Sequence, residues 1–403
     1  MTTKQALEVR TAADPDTARV FLVINSLGGG GAERSLAELL PFYRKSGIEP
    51  VVVCLKRRAD GVEREVSRAG IRTLYLGGSD IVGWVIRLRQ LLRSQSPDLM
   101  NTALFEADLV GRLAAWRTGI PVLTSLVNTS YVRARLSDPN ISRHGLWAAR
   151  MIDGWTARHL TTHFHAISNA VKDASVKALG IPADRITVVE RGRDAGRLGE
   201  RTSERCERSR NLLGLGNQDE VIVTVGRQEF QKGQKFLLRA MARLKSRRPQ
   251  ARLLVVGRTG NATAELRAEH ERLGLADRVR FLGYREDVPE ILAAADVFVF
   301  PSLFEGAGGA LIEAMGLGLP IVATDIPSTR EVADQSALLV PPGSANELAD
   351  GIEAMLEDPD RARELGERAA RIFGSRFSLE GSASRMVRLY KGLMAPARAL
   401  AGK

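Results

Sequence analysis

Val297-Phe-Val-Phe-Pro301-Ser-Leu-Phe-Glu305-Gly-Ala-Gly-Gly-Ala-Leu-Ile-Glu313-Ala-Met315 is the stretch whose reading decides the fold. Its first four apolar residues read as a strand covered on both faces. Pro301 ends that strand, a loop of small residues follows, and an apolar helix begins near Gly308. Such a strand–loop–helix turn lies at the carboxyl edge of an open parallel sheet, where ligands bind. Glu305 falls in the loop. Glu313 falls inside the helix, where side chains lean back toward the N-terminus, so it can reach hydroxyls of a ligand whose anionic group sits on that helix end. A surface glutamate would be unremarkable, but Glu313 lies in the apolar run Ala310–Pro320, where an unpaired charge is costly.

The same rhythm extends in both directions. Strands are predicted at Val221–Val225, Arg252–Val256, Val279–Leu282, Ile321–Ala323 and Leu338–Val340, and before them at Val20–Asn25, Val51–Leu55, Val122–Leu126 and Ile186–Val189, with amphipathic stretches between. This is an α/β chain with two doubly wound, Rossmann-like parallel sheets facing across a cleft. The expected division is a flexible tail at 1–18, a first domain at 19–197, a polar linker at 198–218, a second domain at 219–378, and a C-terminal helix and tail at 379–403 that packs back on the first domain. With 403 residues, 44% apolar and 26% charged, the chain supports two packed cores and is neither disordered nor polytopic.

Further candidates sit at other strand ends. Gly28–Gly31 follow the first strand and open a helix, which brings backbone N–H groups close to a phosphate. Glu33 stands where a dinucleotide fingerprint needs its last glycine, and Leu55, not an acid, ends the second strand, so a nicotinamide dehydrogenase does not fit. Arg227 and Lys232 leave one strand end of the second domain, placed to neutralise a diphosphate.

Taken together, Val-Gly-Arg227 with Lys232-Gly233, the run from Phe281-Leu-Gly-Tyr284-Arg285 through Asp325, and the closing Leu338-Leu-Val-Pro-Pro-Gly343 closely resemble the C-terminal domain of family 4 glycosyltransferases, enzymes of the GT-B fold. Gly28-Gly-Gly-Gly-Ala-Glu33-Arg34 and Ala166-Ile-Ser-Asn-Ala-Val171 look like the matching N-terminal domain, and the resemblance runs from about Arg19 to Met394. It implies a retaining transfer from a nucleoside-diphosphate sugar, UDP or GDP, by same-face attack without a protein nucleophile or a required metal. Arg227 and Lys232 would bind the diphosphate, with the backbone of Gly29, Gly30 and Gly31 facing it, and Glu305 would lie near the sugar. Glu313 would hold the ribose, the amides of Gly306, Ala307, Gly308, Gly309, Ala310 and Leu311 would contact sugar and phosphate, and Tyr284 and Arg285 would meet the base. On the acceptor side stand Asn101, Glu106 and Asn128, with Ala103 among them, where relatives often carry histidines. The usual Pro-Asn-Gly is Glu190-Arg191-Gly192, which adds Arg191 to the acceptor side.

The remaining features bound the setting. Two cysteines, no spanning segment and no signal-like start point to a cytoplasmic protein, peripheral at most on the inner face of a membrane. The only Asp-x-Asp triplets, at Asp14 and Asp358, follow no strand, and His159 with His163 is a weak metal pair. Residues 1–197 carry a net +9 and residues 198–403 only +2, so an anionic partner fits the first half: an acceptor that is a glycan, a lipid-linked glycan or a small molecule, or an anionic membrane surface. Nucleic acid fits poorly, because only 5% of residues are aromatic and none interleaves the basic stretches as a stacking motif. A sugar epimerase or phosphorylase is the same-fold alternative. Trp84–Arg93 and Arg143–Arg158 combine basic residues with apolar helical spacing, and Trp147, Met151 and Trp155 recur every fourth residue. Such a face lies in a lipid headgroup layer or packs on the sheet as core, and the need to cover a parallel sheet favours packing.

Overall fold

The computed structural model describes residues 17–58 and 61–401; of the tail expected at 1–18, the part with the Asp14 triplet lies outside them, and Ala18 already opens the first strand. The chain forms two compact units. Unit 1 comprises residues up to Val127, His144–Gly192 and Leu379 onward, and unit 2 comprises Asn128–Arg143 and Arg193–Ser378.

Unit 1 holds a seven-stranded parallel sheet: β1 (Ala18–Ile24), β2 (Ile48–Cys54), β3 (Arg72–Tyr75), β4 (Leu99–Ala103), β5 (Val122–Leu126), β6 (His163–Ala166) and β7 (Ile186–Val188), in the order β3-β2-β1-β4-β5-β6-β7. Alternation splits β1 between two cores. Val20, Leu22 and Ile24 face Leu40 and Tyr43 of the helix Gly31–Lys45, whereas Phe21 and Val23 face Trp84, Leu88 and Leu92 of the helix Ile81–Gln95. The chain's last helix, Leu379–Ala401, adds Met386, Val387, Tyr390 and Met394 to the first of these cores. Tyr390 meets Tyr43 edge-on at 5.3 Å.

Unit 2 holds six parallel strands: β8 (Glu220–Val225), β9 (Ala251–Val256), β10 (Val279–Gly283), β11 (Val297–Phe300), β12 (Ile321–Thr324) and β13 (Leu338–Val340), in the order β10-β9-β8-β11-β12-β13. In both sheets the strand order reverses beside the first strand, between β1 and β4 and between β8 and β11, and a crevice opens beyond the strand ends at each such point.

Three segments differ from expectation. Residues 198–218 carry the helix Ser203–Leu212 within unit 2, anchored by Arg205 on Glu290 (2.8 Å) and Arg210 on Asp296 (2.5 Å). The stretch reads as a linker because those anchors are ionic and leave no apolar period. The main stretch of unit 2 begins at Arg193, before the expected boundary at 197, where the Arg193 N–H bonds the Phe377 carbonyl at 2.8 Å, and Asn128–Arg143, expected within the first domain, belongs to unit 2 as well. The helix Arg143–Leu160 is not a core helix. Trp147 is 64% and Trp155 54% exposed, which overturns the expectation that this face packs on the sheet.

Candidate functional site

In unit 2 the crevice between β8 and β11 gathers much of the expected donor machinery. After β8 the chain runs through Gly226 and Arg227 into the short turn Phe230–Lys232, and Gly233 turns it into the helix Gln234–Arg247 at φ 62°. A Cβ on Gly233 would stand 2.0 Å from the Pro301 carbonyl oxygen, so glycine is what lets this turn approach the end of β11. The approach places the Lys232 ammonium in an ion pair with Glu305, both side chains mostly buried, with the Phe300 ring 5.8 Å below the lysine. Ser302 adds a 3.4 Å bond to the same Glu305 oxygen, and Thr324 fixes the loop through the Phe300 and Ser302 carbonyls. Arg227 does not join this pair. It reaches Glu229 at 3.1 Å and leaves half its side chain in solvent.

The loop after β11 is closed by Gly308, a left-handed cap at φ 68° whose Cβ would strike the Phe300 ring at 2.7 Å. Gly306, Ala307 and Gly308 are buried, Gly309 and Ala310 half-buried and Leu311 buried, so the first turn of the helix Gly309–Gly316 points its free N–H groups into the crevice. Glu313 is not unpaired: the fully buried Arg193 guanidinium donates through Nε to its Oε1 at 2.8 Å. Tyr284, 39% exposed, and Arg285 follow β10, with Arg285 tied to Asp287 at 2.7 and 2.5 Å. Asn128, expected on the acceptor side, belongs to unit 2, where it donates to Gln231 at 3.4 Å while Thr129 donates to the Glu305 carbonyl at 3.3 Å.

In unit 1 the glycine turn after β1 leads into the helix Gly31–Lys45, with Gly30 as its cap and Arg191 packed 3.3 Å from the Cβ position of Gly31. At the reversal between β1 and β4, Asn25 bridges the strand ends, donating to Glu106 at 2.9 Å and accepting from the Ala107 N–H at 3.0 Å, and Lys56 adds a 3.3 Å contact to Glu106. Asn101 lies deeper. It donates to the Tyr390 hydroxyl at 2.7 Å and accepts from Ser125 at 2.9 Å, and Ser125 meets His165 Nδ1 at 3.1 Å. His165 Nε2 bonds the Val189 carbonyl at 3.0 Å, and burial, opposed by that bond, drives its pKa down to about 4, so the ring is neutral near pH 7. These groups floor a largely apolar cavity, with Arg191 and Gly192 also in its wall. Asn101 and Arg191 therefore share one cavity, and Glu106 stands apart from it.

Sequence reasoning singled out neither Arg193 as the partner of Glu313, nor the Ser125–His165 pair, nor Thr129. The first is separated from its partner by 120 positions and nothing local signals it. A row of polar residues inside otherwise apolar strands was the available signal for the second. Among the described residues no group of three or more His, Cys, Asp or Glu side chains is placed to hold a metal. The Asp358 triplet caps a helix through Asp358 and the Arg361 N–H at 3.0 Å.

Residues 29–197 match the family description "Glycosyltransferase Family 4", and residues 207–372 match "Glycosyl transferases group 1". The alpha-D-kanosaminyltransferase of Streptomyces kanamyceticus is 24% identical over 76% of this chain and 81% of its own length. The D-inositol 3-phosphate glycosyltransferase of Corynebacterium jeikeium is 35% identical over 52% of each chain, so the chain matches only about half of that enzyme. The crystal structure of HepE from Anabaena in complex with UDP-glucose superposes with a TM-score of 0.81 over 93% of this chain and 99% of that one at 24% identity, which shows the fold. Relatives named as glycosyltransferases do not favour the epimerase, phosphorylase or nucleic-acid alternatives. Two Rossmann-like units in the GT-B arrangement of strands, matched in turn by both family descriptions, make this chain a member of the family 4 glycosyltransferases.

Proposed function

We propose that the chain transfers a hexosyl or N-acetylhexosaminyl group, with retention, from a nucleoside-diphosphate sugar to a hydroxyl acceptor in glycan, lipid-linked glycan or glycoconjugate synthesis. The observation that carries this reading is the Lys232–Glu305 pair at the β8/β11 reversal, beside the N-terminus of the helix Gly309–Gly316. A mostly buried ammonium beside free helix amides is a fixed field for a departing diphosphate, and such preorganised charge stabilises the transition state. Glu305 is the group that exchanges partners when an anion arrives: Lys232 turns to the diphosphate, and the carboxylate accepts from sugar hydroxyls. Arg227, half in solvent, folds onto the outer phosphate. Glu313 accepts from the ribose diol through the oxygen that Arg193 leaves, and backbone at Tyr284 and Arg285 meets the base of the donor nucleotide, UDP or GDP.

In the step itself the anomeric C–O bond to the diphosphate breaks, and the acceptor oxygen bonds the same face of the sugar. Its proton passes to the leaving phosphate oxygen, so atoms and charge balance without a protein nucleophile or a metal. Asn101 and Arg191, which line one cavity of unit 1, serve the acceptor, which is a glycan, a lipid-linked glycan or a small molecule; nucleic acid is not a partner. The work is done in the cytoplasm, peripherally at the inner membrane face where the acceptor is lipid-linked.

Melting temperatures with UDP, GDP, ADP and their sugars test the reading, since a ligand that binds only the folded state raises them. One nucleotide should stabilise the protein, and Lys232→Ala should cost that ligand about 1.5 to 3 kcal/mol. Equal affinity in Lys232→Ala and the parent refutes the assignment, as does turnover that EDTA abolishes and Mn²⁺ restores.

A further inference from the structure

The helix Arg143–Leu160 is amphipathic in the reverse sense. Of its 18 residues only Gly154, Thr156 and Ala157 are buried. Polar groups hold it to unit 1: the buried Arg112 donates to Asp153 at 2.6 Å and to Thr156 at 3.1 Å, and Arg150 and Arg158 bond the Ala178 and Leu179 carbonyls. Its apolar residues point outward, with Trp147 64%, Met151 51%, Ile152 49% and Trp155 54% exposed. The strip goes on past the helix. Trp155 packs on His159 at 5.2 Å, and His159 lines one surface hollow with Trp116, itself 52% exposed, and Arg117, whose guanidinium lies 4.9 Å over the Trp116 ring. Of the chain's four tryptophans, Trp84 is buried and the other three are in this strip.

We propose that this strip is a docking surface for an anionic lipid bilayer. A helix whose apolar face is exposed while its polar residues make the attachments has no core to cover. Tryptophan, with an apolar ring and one N–H donor, is suited to headgroup depth. The charge chooses among occupants. Asp153 is the only acid in the helix and is turned to Arg112, whereas the helix also carries the exposed Arg150 and Arg158, whose guanidiniums bond the Ala178 and Leu179 carbonyls, and Arg117 lies over the Trp116 ring, within a first half of net charge +9. A second copy would bring like charges face to face, and an anionic headgroup layer complements them. The inference deepens the membrane side of the proposed function and rests on it only for the acceptor's location; donor binding is separate.

The test is flotation of the full chain with vesicles of phosphatidylcholine alone or mixed with phosphatidylglycerol, at low and high salt. Tryptophan quenching by brominated lipid is read in the unmodified protein, so no variant need fold. Binding should occur with the anionic vesicles, weaken with salt and quench the emission. Trp147→Ser with Trp155→Ser should weaken it about tenfold or more while the nucleotide-induced rise in melting temperature stays unchanged. Absence of binding to either vesicle, equal binding to both, or salt-insensitive self-association lost in the double variant overturns the proposal. Loss of the nucleotide response alone would count against the donor assignment and leave the docking surface standing.

Discussion

Arg193→Met is the sharpest probe of the proposed donor site. Methionine keeps the volume of the buried side chain and removes its charge, leaving Glu313, whose side chain is only 17% exposed, without the 2.8 Å donor. Breaking one side of a buried pair costs about 3 to 5 kcal/mol, and the remaining exposure puts this case near the lower figure. For a unit of this size about 3 kcal/mol corresponds to a fall in melting temperature of roughly 6 to 12 °C. Arg193→Met with Glu313→Gln should recover part of it, because no buried charge is then left unpaired. The binding readout separates structure from function. If Glu313 holds the ribose, Arg193→Met weakens the stabilising nucleoside diphosphate by about tenfold or more, one charged hydrogen bond misplaced, and leaves inorganic pyrophosphate unaffected. Calorimetry with both ligands decides: equal loss for the two refutes the ribose role, and an unchanged melting temperature refutes the energetic value of the pair.

Gly233→Ala should lower the melting temperature by several degrees and abolish the nucleotide response, because its Cβ meets the Pro301 oxygen at 2.0 Å at φ 62°; a response of parental size refutes the close approach. Tyr390→Phe should cost about 1 to 3 kcal/mol in urea unfolding, since the Asn101 amide loses its 2.7 Å acceptor, and no change refutes the bond. The pH dependence of unit 1 should show two opposed slopes. Burial holds His165 at about 4, below its ordinary 6.5, so the unfolded chain binds a proton the folded one refuses, and stability falls as pH drops through that window. Burial lifts Asp108 from 3.8 to about 7, so its contribution is present when it is protonated and is lost as pH rises from about 4 to 7. Between about pH 4 and 6.5 the two nearly cancel, and Asp108→Asn should uncover the histidine slope; urea midpoints across that range that run parallel for parent and variant refute it.

The strands were legible because parallel strands buried on both faces are continuous apolar runs: Val122–Leu126, Val297–Phe300 and Leu338–Val340 have the bounds their composition predicts. Glu305 and Lys232 were legible as strand-end residues. Their pairing was not, since it depends on how Gly233 meets Pro301 across the sheet. The helix Ser203–Leu212 was missed for the reason that makes it stable, arginine anchors in place of apolar ones. The helix Arg143–Leu160 was legible as a pattern and misread as to side, because period alone says that a helix has an apolar face, not what that face meets.

Unit 1 is completed by the helix Leu379–Ala401, whose Met386, Tyr390 and Met394 belong to a core begun at Ala18. During synthesis the ribosome delivers these residues after all of unit 2 has emerged. The nearly continuous second unit can therefore fold on the nascent chain, while the first must wait, its sheet open on one face, until the helix Leu379–Ala401 has emerged. A frameshift near residue 380 would then harm the unit whose strands come earlier in the sequence: unit 2 keeps all its residues, and unit 1 lacks the helix that closes its core.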